Sequence, residues 1–497
     1  MNNRMKTIQR KTWAVITLSV IVLLSWTSCG TSRKQAVAPQ EPRMLHILAV
    51  NDMHAAIDNF PRFAFIVDSL RALYPDMLLF SGGDNQTGNP INDQYSPKGL
   101  PMIELMNTLR FDVSAVGNHE FDSGPEGFRL LLEKASFDFL CANLAPPAGK
   151  TYRILPNKTI KMPNGLTVGV TSVLAINAGG IPDTHPDNAV GFTFYDPFET
   201  ASKQLAMRDR CDVFIYLNHL GFEDDVVLAG QLPKDAADLI IGGHSHTKID
   251  NEQFHHNILI TQAENKLKYA TLITVKVNPN GTKERHMALL PVGKKGNEQA
   301  TVRAMVDKYN DNPAMKERLA EATDEFTSYE QVGYLMVDAL REGTKAEIAL
   351  INPGGVRIDQ LSKGAITVRD VYTMDPFGNE TVLFKLTGHE LKALFIAAFP
   401  LDERLPIYPS GLKTRYLFAP DGTIRNVELF MPDGTPADMD RTYTVAMNNY
   451  MASVYKYEHQ DPGTGLFQPT AETMIRYLKA LKTVPSYRNE QRVELKK

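Results

Sequence analysis

The sequence predicts a layered α/β protein with two or three domains. Its 497 residues are 43% hydrophobic and 22% charged, which is ordinary for a globular chain long enough to bury more than one core. From about Met44 onward, short apolar runs bounded by Gly and Asn alternate with helical stretches. Such runs are typical of strands buried on both faces of a sheet, and the alternation favours sheets covered by helices.

The elements predicted in the first 300 residues follow this alternation. Helices are predicted between several of the strands, at Arg62–Leu73, Met102–Arg110 and Phe128–Lys134. The strands are expected in LHILAVN, DMLLFSGGD, FDVSAVGN, FDFLCAN, LTVGVTSV, CDVFIYLNH, ADLIIGGHS and NILITQAE.

The second part of the chain is predicted to begin after a charged segment. Asn297–Ala322 is expected to be a helical connector with one break at Pro313. AEIALINPGGVR then predicts a strand that ends in two glycines and an arginine, and residues 366–395 predict further strands and a helix. The composition stays globular, so these residues are expected to form a domain of their own.

The N-terminus has the pattern of an export signal. Residues 1–12 contain four basic and no acidic residues, residues 13–26 are almost wholly apolar, and Thr-Ser-Cys-Gly follows. The apolar run is shorter than the ~20 residues that span a bilayer. The small residues around Cys29 resemble a bacterial lipobox, with Trp26 as an unusual member, so we expect a lipid anchor on Cys29. An ordinary cleaved signal with an incidental cysteine is the alternative.

Charge and cysteine content exclude some classes of function. The net charge of −4 gives no sign of a face that binds a nucleic acid polymer. Besides Cys29 the chain has Cys141 and Cys211, each within a predicted strand. We expect buried free thiols, although a disulfide is permitted in an exported protein.

Residues able to bind metal ions follow the predicted strands. They occur in NDMH (51–54), GGD (82–84), GNHEFD (117–122), NH (218–219) and GGHSH (242–246). Each cluster alone is also compatible with a polar turn, but five of the 12 histidines fall in this set. Because loops that leave strands commonly form the site of an α/β fold, the clusters are expected to converge.

The chemistry of these residues indicates a catalytic metal centre. They offer imidazole nitrogens and carboxylate or amide oxygens and no thiolate, which suits Zn, Mn, Fe or Co. There are more candidate ligands than one tetrahedral ion needs. Two ions about 4 Å apart with one bridging carboxylate would use most of them, and such a pair can bind a phosphoryl group and activate a water.

In their order and spacing these motifs resemble the calcineurin-like metallophosphoesterases, and GNHEFD resembles the branch of exported 5′-nucleotidases and UDP-sugar hydrolases. The resemblance implies a four-layer α/β/β/α sandwich followed by an α+β substrate-binding domain. It implies two divalent ions, with Asp84 as the bridge between them. It assigns Asp52, His54 and His246 to the first ion and Asn118, His219 and His244 to the second.

The resemblance also implies the catalytic pair. His119 would stabilise charge or protonate the leaving oxygen, and Asp122 would orient it. The glycines Gly117 and Gly124 are expected to let the backbone turn beside the metals. Glu120 receives no role beyond a supporting one. One departure from the family pattern is Ala55, where Gly is usual.

The second domain resembles the C-terminal domain of 5′-nucleotidases, in which the arginine of Asn-x-Gly-Gly-x-Arg contacts substrate. NPGGVR taken alone is a plain turn with a solvated arginine; together with the first domain it makes Arg357 a substrate residue. The family clamps its substrate between two aromatic rings. Tyr408 is the candidate for one ring, with Arg404 or Arg415 as a second phosphate contact. The usual glycine-rich motif of the other ring is missing, so Tyr455, Tyr457 and Phe467 compete, and Phe467 is chosen.

The expected protein is therefore an exported, lipid-anchored hydrolase of the periplasm or cell envelope. It would remove phosphate from nucleotides, above all nucleoside 5′-monophosphates, by attack of a metal-bound hydroxide. The alternatives are a UDP-sugar hydrolase, a 2′,3′-cyclic nucleotide phosphodiesterase, a thiosulfate-ester hydrolase and a non-catalytic nucleotide- or metal-binding lipoprotein. The expected boundaries are 1–28 for the signal, 29–43 for a tether, 44–296 for the metallophosphoesterase domain, 297–320 for the helical linker and 321–497 for the substrate-binding domain.

Overall fold

The structure is a computed structural model that describes residues 41–177, 179–293, 295–399 and 407–496. The predicted export signal and Cys29 lie outside these residues, as does nearly all of the tether. Residues 43–277 and those from 283 onward group into one compact unit. Within the described ranges, no helix is both long enough and apolar enough to cross a membrane.

Two sheets and their helices form the first part. The strands are β1 (Arg43–Val50), β2 (Leu78–Ser81), β3 (Val113–Ala115), β4 (Asp138–Leu140), β5 (Leu144–Ala145), β6 (Ile154–Leu155), β7 (Asn157–Lys161), β8 (Thr167–Thr171), β9 (Thr193–Phe194), β10 (Val213–Leu217), β11 (Leu239–Ile241), β12 (Gln253–His255), β13 (Ile258–Thr261), β14 (Tyr269–Val277) and β15 (Lys283–Pro291). The helices are α1 (Phe60–Leu73), α2 (Pro90–Asp93), α3 (Leu100–Thr108), α4 (Gly124–Lys134), α5 (Pro197–Gln204) and α6 (Phe222–Gln231).

The sheets pack face to face with helices outside, as the four-layer expectation requires. One sheet has the order β15-β14-β1-β2-β3-β4-β6 and the other β12-β13-β11-β10-β8-β7. Alternate residues of β1 separate the layers: Leu45 and Ile47 pack with Val168 and Ile215 between the sheets, whereas Leu48 packs against the α1 side. The predicted fold class is confirmed.

Parallel pairing brings the ends of the strands to one edge of each sheet. Val50 pairs with Ser81, and Ser81 with Ser114, in the first sheet. Leu217 pairs with Ile241 in the second sheet. The residues that directly follow these pairs are the metal-ligand clusters, so the register itself brings them together.

The second part is α+β. It contains α7 (Ala300–Asn310), β16 (Arg318–Ala322), α8 (Tyr329–Thr344), β17 (Ile348–Ile351), β18 (Gly364–Thr367), α9 (Val368–Met374), β19 (Glu380–Thr387), α10 (Gly388–Ala398), β20 (Tyr408–Ser410), β21 (Lys413–Phe418), β22 (Ile424–Phe430), β23 (Thr442–Asn448), α11 (Asn449–Val454), β24 (Thr464–Pro469), α12 (Thr470–Leu481), β25 (Thr483–Val484) and β26 (Val493–Lys496). Its main sheet has the order β20-β17-β23-β19-β24, and two three-stranded sheets, β18-β16-β25 and β22-β21-β26, flank it.

The predicted helical connector is only partly helical. The helix α7 ends at Asn310, and Arg318–Ala322 is the strand β16, which pairs with β18 and β25. Residues Leu319 and Ala322 are buried, so tertiary packing outweighs the charged composition there. The domain boundaries themselves stay a prediction.

The two described cysteines are free thiols. Cys141 is buried just after β4, and burial raises the pKa of its thiol to about 12. Cys211 is only partly buried and lies just before β10. The expectation of free thiols is confirmed, and the expectation of burial holds for Cys141 alone.

Candidate active site

Four side chains converge at the first of two overlapping metal-ligand sets. The Oδ1 atom of Asn118 lies 3.2 Å from His219 Nε2 and 3.0 Å from His244 Nδ1, and His219 Nε2 lies 3.2 Å from Asp84 Oδ2. The Asn118 amide donates from Nδ2 to the carbonyl of Asp183, which turns its oxygen towards the histidines. The four atoms are spaced as ligands of one ion would be.

The second set lies on the other side of Asp84. His54 Nε2 is 2.9 Å from His246 Nε2, and His246 Nε2 is 3.5 Å from Asp52 Oδ1. Asp84, His54 and His119 also offer ligand atoms within 4.8 Å of one another. Asp84 therefore faces both sets, as a bridging carboxylate must.

Electron-rich atoms face one another here and need a positive charge between them. His219 uses its Nδ1–H on the carbonyl of Gly82 at 2.7 Å, so its Nε2 faces the oxygens of Asp84 and Asn118. The pKa of His219 is raised to about 10, because the Asp84 carboxylate outweighs the opposing effect of burial. The site thus stabilises positive charge at this point, and a divalent ion can replace the proton.

The three other histidines of the two ligand sets are held neutral. Burial lowers the pKa of His246 to about 3 and that of His244 to about 4, and burial also takes the pKa of His54 well below its usual value. Neutral imidazole is the form that binds a metal. The donor set, with its nitrogens and oxygens and no sulfur, therefore fits a pair of divalent ions.

The backbone at the proposed ligands is strained. Asp52, His54, Asp84, His244 and His246 have φ between 45° and 78°, in the left-handed region. Five of the seven proposed ligands thus share a conformation that L-residues rarely adopt, and such strain is concentrated at functional sites. Ala55 is also left-handed, with φ 50°, at the position where the resembled family has Gly.

The predicted role of Gly117 needs a correction. Its φ is −100°, so no unusual turn requires glycine there. A Cβ at Gly117 would lie 2.2 Å from Asp84 Oδ1, so glycine is needed because the Asp84 side chain packs against its backbone. Gly124, with φ 70°, does make the expected turn.

His119 and Asp122 form a hydrogen-bonded pair at the edge of the ligand sets. His119 Nδ1 lies 2.7 Å from Asp122 Oδ2, and the hydroxyls of Thr87 and Thr184 donate to the same carboxylate. Burial lowers the pKa of His119, but the carboxylates of Asp122 and Asp84 outweigh it and raise the pKa overall. The raised pKa favours the protonated imidazole, a form that can donate a proton.

Glu120 has a structural role, which was expected from the sequence, although its partners were not. Its buried carboxylate accepts from the backbone N–H groups of Asp84 at 3.0 Å, Asn85 at 2.8 Å and Gly117 at 2.6 Å, and from the Asn85 side chain at 3.1 Å. These donors belong to the loops after β2 and β3. Glu120 therefore ties the loop of Asp84 to the loop of His119.

Arg357, from the second part of the chain, reaches this site. Its positive charge lowers the pKa values of His54, His246 and His119, and the carboxylates of Asp84 and Asp122 act on it in turn. The guanidinium lies over the ring of Phe377, with its Cζ 5.5 Å from the ring centroid. Arg357 is therefore a cation beside the metal-ligand sets.

Phe377 is a site residue that the sequence reasoning missed. Its ring stacks on His119, with 5.9 Å between centroids and an interplanar angle of 23°. It lies in the loop between α9 and β19, within the sequence DPFGN. An aromatic residue flanked by Pro and Gly in a loop was the available signal.

Tyr408 does not line the site, contrary to the prediction. It is 1% exposed, and its ring packs in the core against Tyr334 and directly over Gly333. Because β20 is an edge strand covered by α8, the residue faces the core. The alternative cation Arg415 is already paired with Glu428 and Glu494, and Arg404 lies outside the described residues.

Solvent exposure narrows the candidates for the second aromatic ring. Tyr455 is buried, and Tyr457 is partly buried against the ring of His459, 4.5 Å away between centroids. Phe467 is 82% exposed on β24, which leaves its ring free to contact a ligand. The role of Phe467 stays a prediction.

Comparisons with known proteins agree with this arrangement. Residues 45–248 match the family described as calcineurin-like phosphoesterase, and residues 309–456 match the 5′-nucleotidase C-terminal domain. A 5′-nucleotidase of Vibrio cholerae is 26% identical over 520 residues, which cover 88% of this chain and 89% of that protein. Endonuclease YhcR of Bacillus subtilis is also 26% identical, but the matched region is 42% of its length.

Solved structures show the same fold. The 5′-nucleotidase precursor from Thermus thermophilus superposes with a TM-score of 0.79 at 26% identity, covering 91% of this chain and 99% of that one. Among the sequence relatives, the trifunctional nucleotide phosphoesterase YfkN of Bacillus subtilis is matched over 32% of its length. The chain thus spans 42% and 32% of the length of two of its relatives and about nine-tenths or more of others.

Proposed function

The chain belongs to the 5′-nucleotidase family of metallophosphoesterases, and we propose that it hydrolyses phosphate esters of nucleotides, above all nucleoside 5′-monophosphates. The observation that carries this proposal is the pair of ligand sets that share Asp84, with His119 at their edge and Arg357 beside them. A protein that only binds nucleotides would need neither the His119–Asp122 pair nor Arg357.

We assign two divalent ions, zinc, manganese or a similar metal, to the seven ligands. Asp52, His54 and His246 would hold one ion, and Asn118, His219 and His244 the other, with Asp84 between them. When bound, the ions supply an activated water and neutralise charge on the phosphate.

The protein's own groups would then protonate the leaving oxygen and bind the substrate. His119, held by Asp122, donates a proton to the leaving oxygen, and its Nε2 lies 4.0 Å from Asp84 Oδ2, at the edge of the ligand sets. Arg357 binds phosphate oxygens, since it lies beside the ligand sets and a guanidinium is a strong phosphate partner, although burial lowers its pKa.

The aromatic residues would bind the rest of the substrate. Phe377 already stacks next to the reacting position, and Phe467 presents an exposed ring. Stacking on such rings is worth ~1–3 kcal/mol per base and tolerates different bases. This replaces Tyr408 by Phe377 in the proposed substrate contacts.

We also propose that the protein is exported and held at the membrane of the cell envelope by lipid on Cys29. The support is the order of basic, apolar and small residues in positions 1–30. The metal centre begins at Asp52, so a tether of polar residues would separate it from the lipid surface.

The test is phosphate release from a panel of nucleoside monophosphates, cyclic nucleotides and UDP-sugars, with and without Mn²⁺ or Zn²⁺. We expect the monophosphates to be preferred, Asp84→Ala to abolish release and lose bound metal, and the exposed control Asp250→Asn to leave both unchanged. A preference for UDP-sugars or cyclic nucleotides would show that these esters, and not the monophosphates, are the substrate class. Absence of release from every ester by a metal-loaded chain would favour the non-catalytic alternative.

A further inference from the structure

Asn265, a residue of the loop after β13, contacts the proposed ligand His246. Its amide Nδ2 lies 2.9 Å from His246 Nδ1, whereas its Oδ1 is buried and has no hydrogen-bond partner in the part of the chain that the structure describes. Neighbours fix the backbone of this loop, because the carbonyl of Glu264 accepts from the Asn51 side chain and Lys266 donates its N–H to the carbonyl of Asp52. The amide is therefore held against one particular imidazole nitrogen.

The hydrogen bonds define one proton arrangement. Asn265 donates to His246 Nδ1, so the imidazole proton lies on Nε2 and points at His54 Nε2, 2.9 Å away. His54 in turn donates from Nδ1 to the carbonyl of Thr87 at 3.0 Å. Each hydrogen bond in this chain has one donor proton and one acceptor, so the arrangement is internally consistent.

Metal binding through His246 Nε2 requires the opposite tautomer. The proton must move to Nδ1, where the present amide orientation would set an N–H against another N–H. A half-turn of the Asn265 amide about its Cβ–Cγ bond brings the unpartnered Oδ1 to that proton. An amide can thus serve both tautomers, whereas a side chain that only accepts can serve just one.

We propose that Asn265 is a positioning residue that hydrogen-bonds His246 in its metal-binding tautomer and so sets the affinity of the first metal site. This inference rests on the proposed function, and it concerns a residue outside the family motifs quoted above. Partners of this kind orient metal-bound histidines, and their loss typically weakens metal binding ~10–100-fold.

Three variants separate this role from a merely structural one. Asn265→Leu removes both the donor and the acceptor, and Asn265→Asp keeps an acceptor for the Nδ1 proton. The matched control is Asn59→Ala, because the Asn59 amide donates to the carbonyl of Lys266 at 2.8 Å and supports the same loop without touching His246.

The experiment is competition for Zn²⁺ with a chelator, on the full folded chain, with metal counted per chain. We expect Asn265→Leu to weaken one of two sites ~10–100-fold, Asn265→Asp to bind at least as tightly as the wild type, and Asn59→Ala to stay within about threefold of it. In a His246→Ala background, Asn265→Leu should cause no further loss, because the two residues act through one interaction.

The outcomes separate the role of Asn265 from the proposed hydrolase function. Wild-type affinity in Asn265→Leu, or equal weakening in Asn265→Asp, would overturn the role of Asn265 and leave the proposed hydrolase untouched. A wild-type chain that binds fewer than two ions would overturn both.

Discussion

Asp225→Asn should change how the stability of the protein depends on pH. Asp225 lies in α6 and is fully buried; its Oδ1 accepts from the Asn218 side chain at 3.0 Å, and its Oδ2 has no hydrogen-bond partner among the residues that the structure describes. A Cβ on Gly242 would lie 2.1 Å from that oxygen, so the carboxyl packs directly on the backbone that leads to His244. Burial raises its pKa to about 7.

The sign follows from proton binding. The pKa of this carboxyl is higher in the folded protein than its value of 3.8 for an unperturbed aspartate, so the folded state holds the proton more tightly. Stability is therefore greatest at low pH and is lost as pH rises towards the folded pKa. Between about pH 5 and pH 8 the loss from this one group is about 3 kcal/mol, since one pKa unit corresponds to about 1.4 kcal/mol.

The measurement is urea unfolding of wild type and Asp225→Asn at pH 5 and pH 8. Asparagine keeps the acceptor for Asn218 but cannot ionise, so its stability relative to the wild type should rise by about 3 kcal/mol over this range. Asp224→Asn, an exposed carboxyl one residue away, is the control and should shift much less. Equal shifts in the two variants, or no shift in either, would refute the reasoning.

The remaining predictions concern the site and the anchor. His119→Ala should lower turnover ~10²–10⁴-fold with metal content unchanged, measured by phosphate release and metal analysis; loss of an ion would show that the ligand set is wrong. Glu120→Gln puts an NH₂ group against two of the N–H donors, so the free energy of unfolding measured in urea should fall by ~3–6 kcal/mol, and a fall below ~1 kcal/mol would contradict the described hydrogen bonds. Arg357→Ala should raise KM for a nucleotide and for a small aryl phosphate alike, because both carry the phosphate, whereas Phe377→Ala should raise KM for the nucleotide more; an unchanged KM for the nucleotide in either variant would exclude that residue from substrate binding. Cys29→Ser should move the protein from the membrane fraction to the soluble one, and unchanged partitioning would exclude the anchor.

The first domain was predictable because the residues that define its strands and its ligand clusters are neighbours in sequence. Each ligand cluster directly follows an apolar strand, so strand order and parallel register are enough to bring Asp52, Asp84, Asn118 and His219 together. The fold class followed from the same runs. The charge pattern predicted too long a helix at the connector, because β16 gains its stability from pairing with two strands that lie far away in sequence.

The substrate side was less predictable because its contacts are not local. Tyr408 was chosen from its neighbours in sequence, but whether an aromatic residue of an edge strand faces the core or the solvent depends on which helix covers it. Phe377 reaches His119 only through the packing of the second domain. The partners of Glu120 and the position of Asn265 were not predicted for a related reason, since their hydrogen bonds go to backbone and side-chain atoms of other loops.

The left-handed backbone of five ligands restricts how the metal centre can be redesigned. Asn and Asp tolerate this region best among the L-residues, whereas β-branched residues fit it poorly. Exchanging His244 or His246 for Asp or Asn would therefore change the ligand without opposing the backbone, whereas a branched substitute would meet a conformational cost of ~1–2 kcal/mol before any metal is bound. The main chain thus narrows the set of ligands from which a different metal preference could evolve, independently of what the metals themselves prefer.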